Sequence, residues 1–151
     1  MDAGVQLKYG FIRGNELSHN GKLAASQTMR QASGRFVYLD SGQYKLNVDG
    51  STRINGFADY VGDDASSAND PVKVNISLDA VYRIPINSGT FVVGMIGDTC
   101  DLSISSNIQG AQLDASVEDT LIIVDGDTEN SEWVDVRMNP SKIGTGVGAD
   151  A

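Results

Sequence analysis

From Val72 to Arg137, apolar and polar residues alternate in short blocks separated by turn formers. VKVNISL, AVYRIPI, TFVVGMI, CDLSIS, TLIIV and EWVDVRM are rich in β-branched and aromatic residues. Between them lie Asn87-Ser88-Gly89, Gly97-Asp98, Asn107, Gly110 and Asp125-Gly126-Asp127. That spacing predicts one strand after another. Upstream, FVYLD and YKLNV read as two strands around the turn Ser41-Gly42-Gln43. Asp49-Gly50 is a two-residue hairpin signal, and STRINGFADYV is the strand that follows, with a bulge at Gly56. Pro85 has no N–H to give a ladder, so its strand is predicted to lie at an edge or to end there. The reading is nine or ten strands and no long helix. The fold class is all-β, a single antiparallel β-sandwich or small β-barrel. No internal repeat stands out.

The flanks have a different texture. Residues 1–34 mix Gly, Ser, Asn, Gln and Ala with scattered apolar residues, without sustained periodicity. Leu7, Tyr9 and Phe11 alternate with polar neighbours and suit one added edge strand, and Leu23 to Gln31 suits a turn or two of helix. The predicted organisation is an extended N-terminal arm over 1–34, a β domain over 35–140 and a flexible Gly-rich tail over 141–151. GDDASSANDP, ending at Pro71, is long for a connection in a β domain and reads as a functional loop or a surface flap.

With 151 residues the chain is long enough to bury a core without a disulfide or a metal. A single cysteine, Cys100, excludes an intrachain disulfide, and MDAGVQLKYG carries no basic-then-apolar leader pattern. No apolar run approaches the length of a membrane helix. These features predict a protein made in a cytoplasm, not exported by a conventional route and without a membrane partner. The net charge of −9 argues against nucleic acid as a partner. The charge is uneven: residues 1–35 hold five bases against two acids, and residues 36–151 hold six bases against 18 acids. A mildly basic segment on an acidic body is a pattern of attachment.

Candidate chemistry is sparse. His19 is the one histidine and stands in a polar stretch without a partner nucleophile. Cys100 has no histidine near it in sequence and reads as a small buried hydrophobe. Gly144, Gly146 and Gly148 lack the preceding strand and following helix that a phosphate-binding loop needs. Asp125, Asp127, Glu129 and Glu132 alternate as oxygen ligands of calcium can. However, an EF-hand loop wants Gly sixth and Glu twelfth, where this chain has Asn130 and Val136. Asp63, Asp64 and Asp70 crowd the long loop. On an extended strand Trp133, Asp135 and Arg137 share one face, with Val134, Val136 and Met138 on the other. Trp133 is expected to cover one end of a barrel, or else to face a partner. No catalytic, cofactor-binding or metal-ligating residue is nominated, and the chain is expected not to be an enzyme.

VYRIPINSGTFVVGMIGDTCDLSIS, QGAQLDASVEDTLIIVDGD and EWVDVRMNPSKI resemble the small capsid decoration (cement) proteins of tailed bacteriophages. The resemblance implies a virion structural protein on the capsid exterior. Such a protein binds the outer surface of an icosahedral shell, bridges major capsid subunits and associates with other copies of itself as a dimer or trimer. Main-chain pairing by an arm is a physically economical way to bind. The candidate contacts are therefore Leu7, Tyr9, Phe11, Arg13, Lys22 and Arg30. The alternative is a carbohydrate- or receptor-binding β module of a phage tail or fibre, with Trp133 or a tyrosine as the stacking platform.

Overall fold

The computed structural model of the protein describes residues 9–59 and 64–143. Eleven strands and two single 3₁₀ turns make an all-β molecule. β1 (Gly10–Arg13) lies on the edge of β7 (Val81–Ser88). Five strands, β2 (Ser18–Leu23), β3 (Phe36–Asp40), β4 (Gln43–Leu46), β5 (Gly56–Ala58) and β6 (Asp70–Asn75), close into a barrel in the order β2-β4-β3-β5-β6. The remaining four, β8 (Thr99–Ser105), β9 (Ile108–Gln112), β10 (Leu121–Gly126) and β11 (Trp133–Met138), form a second sheet with β7. That sheet runs β7-β11-β10-β8-β9 and returns to β7 through a parallel β7–β9 pairing. The sheets are mixed rather than wholly antiparallel, because β2 also pairs with β4 in parallel.

The two rings have the same topology. In each, the first and third strands are parallel and every other pairing is antiparallel. Their strands begin at 18, 36, 43, 56 and 70 in the first ring and at 81, 99, 108, 121 and 133 in the second, an offset of 63 to 65 residues throughout. The registers coincide as well. His19↔Val74 and Gly21↔Val72 recur as Tyr82↔Val136 and Ile84↔Val134. Phe36↔Phe57 recurs as Thr99↔Ile122, Ala58↔Val74 as Ile123↔Val136, Leu39↔Tyr44 as Leu102↔Ala111, and Leu23↔Tyr44 as Ile86↔Ala111. The chain is an internal structural duplication, a repeat that the residues did not reveal.

The interiors explain why. Of the inward positions just matched, Leu39/Leu102, Val72/Val134 and Val74/Val136 alone keep their identity. Elsewhere volume moves between strands. The first barrel holds the large Tyr44 beside the small Gly21, Gly56 and Ala58, whereas the second holds Ala111 beside Ile84, Leu121 and Ile123. A Cβ on Gly21 would stand 2.5 Å from the Tyr44 ring, and one on Gly56 2.3 Å from Val74 Cγ1. Gly56 is there for this close approach and not for a bulge. Interiors pack to crystal-like density, so one total volume can be reached by different distributions.

One length difference sits at a hairpin tip. Both the β3–β4 and the β8–β9 hairpins turn through two residues of positive φ, Ser41-Gly42 and Ser106-Asn107, as a type I′ turn requires. Past the equivalent Leu39↔Tyr44 and Leu102↔Ala111 pairs, the second hairpin is longer by two pairs and carries Ile104↔Gln109. That extra length reaches the first barrel. Ile104 N–H donates to Asp49 Oδ1 at 2.6 Å, Gly34 N–H to the Gln109 carbonyl at 2.8 Å, and Gln109 N–H to Ser33 Oγ at 2.7 Å.

Several sequence expectations are corrected. The body does not begin at residue 35. β2 is a barrel stave, and Leu23, Met29 and Ser33 are buried, so an arm over 1–34 fails for its described part. Leu23 to Gln31 is not helical; its backbone bonds to Tyr44 and to the 64–69 segment, as in Ala24 N–H to the Tyr44 carbonyl. Asp49-Gly50 turns the chain but joins no hairpin, because β4 and β5 flank opposite edges of β3. TFVVGMI is not a strand: Val93–Met95 is a 3₁₀ turn that buries Phe91 and leaves Val92 and Val93 exposed. Pro85 lies within β7, but locally at an edge. Ile86 N–H bonds the carbonyl of Glu132, just before β11, so the nitrogen of Pro85 points to the opposite edge, between the partners β1 and β9. Of the predicted tail, Ser141 and Lys142 form a 3₁₀ turn and Ile143 bridges Ile54; residues 144–151 lie outside the described residues.

Candidate interaction surface

The duplication makes the two barrel ends comparable. In the second barrel the end at Tyr82, Leu102 and Met138 is filled by the first barrel. Phe36 and Phe57 alternate with Val37 and Ala58, which face the first barrel's interior, so their rings point outward and enter the core of the second. Phe57 stacks on Tyr82 with ring centroids 4.3 Å apart, Phe36 meets Tyr82 edge-on at 5.2 Å, and Phe36 meets Phe57 edge-on at 4.8 Å. The Arg35 guanidinium lies 5.0 Å from the Phe57 ring on a side chain that also donates to the Ala58 carbonyl. Aromatic contacts of this kind contribute beyond the area they bury.

The equivalent end of the first barrel has no such filling. It is an apolar groove of ≈ 410 Å³ whose greasy walls are Leu39, Ile76, Leu78 and Ile143. Ile76 and Leu78 are 37% and 43% exposed, a large fraction for branched aliphatics. Leu17, also exposed, extends the rim: the Ile76 N–H donates to its carbonyl and its own N–H to Asn75 Oδ1. Three polar side chains, His19, Tyr44 and Asn55, also line the groove. The Tyr44 hydroxyl is 2.6 Å from His19 Nδ1, with the rings edge to face at 5.7 Å. Burial pushes the Tyr44 phenol up. Asn55 spends its side-chain oxygen on Leu39 N–H at 2.9 Å. An apolar concavity with a few oriented polar groups is built for binding.

The contacts nominated from sequence do not converge. Tyr9 is half-buried, and Phe11 and Arg13 are exposed on β1, along the second barrel. Phe11 reaches Tyr82 edge-on at 6.1 Å. Lys22 is exposed on β2, opposite Pro71. Arg30 is half-buried, its carbonyl accepting from Arg35. Leu7 lies outside the described residues. The groove was missed because its lining comes from separated segments of the chain; of the residues singled out from sequence, His19 and Tyr44 lie in it.

The remaining sequence candidates prove structural. Trp133 is on the outer face of β11 rather than over a barrel end, with the Arg83 guanidinium 3.6 Å from its ring centroid. Arg83 forks onto the buried carboxylate of Asp135 at 2.8 and 3.1 Å. Asp127 is the staple of its own turn, accepting N–H donors of Glu129, Asn130 and Glu132, and these bonds hold its carboxyl below the usual range. The buried Asp101 likewise accepts N–H donors of Val117, Glu118 and Asp119. Cys100 is fully buried, and burial first, then Asp101 and Asp119, pushes its thiol up to about 12. Asp70 accepts from Ser67 N–H, Asp64 is exposed, and Asp63 lies outside the described residues. Among the described residues no group of three His, Cys, Asp or Glu side chains could hold a metal ion.

No protein-family model matches the chain, and neither a curated protein nor a solved structure matches it.

Proposed function

We propose that this chain is a virion structural protein that binds the outer surface of an icosahedral phage capsid and bridges or stabilises its major capsid subunits. The observation that carries the reading is the open apolar end of the first barrel, set on the less charged half of the molecule. Residues 1–79 hold eight bases against nine acids, whereas residues 80–151 hold three against eleven. A near-neutral half with an apolar groove loses little hydration on docking. The strongly acidic half stays solvated and repels its neighbours on other particles. The likeness of the second half to decoration proteins fits that orientation, with the first barrel toward the shell. β1 offers a second contact: it pairs with β7 on one edge and carries Phe11 and Arg13 in the open. The sugar-binding alternative draws less support, because a face of Trp133 is already taken by Arg83.

The test is co-sedimentation of the purified chain with isolated phage capsids lacking it, with stoichiometry measured by light scattering. A fixed number of copies per capsid, lost on Ile76→Asp, is the expected result. A chain that stays in the supernatant at all concentrations overturns the proposal.

A further inference from the structure

We infer that the open end of the first barrel is a socket for a partner protein that inserts an aromatic pair carried on a β-sheet face. This rests on reading that end as the binding surface, and not on the partner being a capsid. The chain itself contains the worked case. The corresponding end of the second barrel, at Tyr82, is closed by Phe36 and Phe57, a directly paired couple on neighbouring antiparallel strands. The socket at His19 has the same strand order, directions and register, so what fits one end in shape class fits the other.

The chain has no second plug of this kind among its described residues. Phe36 and Phe57 are buried in place. The positions that correspond to them on the second barrel are Thr99 and Ile122. Thr99 is polar, and its hydroxyl is bonded to Ser116 and Asp119. The outward positions of the second barrel therefore do not repeat the aromatic pair of the first. No described residue supplies a plug for the first barrel, and that plug is assigned to another protein. The Tyr44 and His19 rings, edge to face with the hydroxyl bonded to Nδ1, add aromatic edges against which an inserted ring can pack.

The probe is a synthetic β-hairpin in which residues 34–38 and 55–59 are joined by an Asn-Gly turn, so that Phe36 and Phe57 stand opposite each other. It is titrated into the isotopically labelled full chain and followed by NMR. Saturable shifts centred on His19, Leu39, Ile76 and Leu78 are expected. A hairpin with both phenylalanines replaced by serine should give none, and Leu78→Asp should weaken binding at least about tenfold. Leu78→Ala, with thermal unfolding as the check on folding, serves if the aspartate variant is unstable. Absence of shifts, or shifts centred elsewhere, overturns the inference. So does sedimentation of the chain alone as a concentration-dependent oligomer that Leu78→Ala abolishes, since the occupant would then be a second copy. Capsid binding does not enter this readout, so failure of the capsid proposal and failure of the socket are separately visible.

Discussion

The side chain of Gln109 pairs with the backbone of Phe36 as a strand would. Its Oε1 accepts from Phe36 N–H at 2.9 Å, and its Nε2 donates to the Phe36 carbonyl at 3.0 Å. A second Nε2 hydrogen goes to the Asn47 carbonyl at 3.0 Å. Gln109 is fully buried. It sits in the two-pair extension that distinguishes the second hairpin from the first, so the insertion that breaks the symmetry of the duplication also joins its halves.

Replacing Gln109 by Leu keeps the volume and strands two buried backbone groups of the first barrel, the Phe36 N–H and the Asn47 carbonyl, while the Phe36 carbonyl keeps the Asn47 N–H. Unsatisfied buried groups cost about 1–3 kcal/mol each. The variant is expected to lose roughly 3–5 kcal/mol of unfolding free energy in urea, allowing for partial relaxation. A loss below about 1 kcal/mol would show that the junction does not depend on this amide.

The volume exchange between the barrels predicts a compensating pair. Gly21→Ala alone drives a Cβ into the Tyr44 ring and is expected to destabilise by about 1–3 kcal/mol. Combining it with Tyr44→Ala removes the ring that the new Cβ would strike, so the clash is relieved. The double variant should be more stable than the sum of the singles by about 1 kcal/mol or more, read from a double-mutant cycle in urea. Strict additivity would refute the exchange.

Arg83 links the buried Asp135 carboxylate to the half-buried Trp133 ring. Arg83→Ala leaves a carboxylate that is 2% exposed without its ion pair. The expected loss is about 3 kcal/mol, with a change in Trp133 emission. Unchanged fluorescence would place the indole elsewhere.

Cys100 gives a pH signature. Its thiol is raised from the ordinary 9.0 to about 12 by burial. The unfolded chain releases the proton first, so the stabilisation is whole below pH 9 and fades as pH rises from 9 toward 12. Cys100→Ala should flatten that part of the stability curve. In the folded protein a thiol reagent at pH 8 should label Cys100 slowly, and quickly in urea; rapid labelling of the native protein would contradict the burial.

Below neutrality the carboxylates act in the opposite sense. Asp79, Asp119 and Asp127 are each held under 3.8, by Ser77, by Ser116 and by the backbone of their own turn respectively. Their contribution is present above pH 3.8 and lost as pH falls through the lowered values. Acid unfolding followed by circular dichroism should begin near pH 4, and Asp127→Asn should make its onset less steep. An onset unaffected by all three Asp→Asn changes would remove these turns from the account.

Local chemistry was legible in the residues. Four strands of the second barrel, the outward and inward faces of β11, the buried state of Cys100 and the all-β class follow from a two-residue period and from turn formers, which act over a few positions; β9 does not, because Gly110 reads as a turn former and stands inside that strand. The duplication was not legible, because the inward residues exchanged volume between strands and only the sum is constrained by packing. Nor was β2 legible as a stave. Ser-His-Asn-Gly-Lys-Leu has no apolar alternation, and it is a strand only because Tyr44 needs a glycine beneath its ring and β6 supplies the ladder. The open socket and the filled one likewise depend on which barrel end meets Phe36 and Phe57. That is a relation between surfaces some sixty residues apart in the chain, which pattern along the sequence does not encode and which packing of the two rings decides.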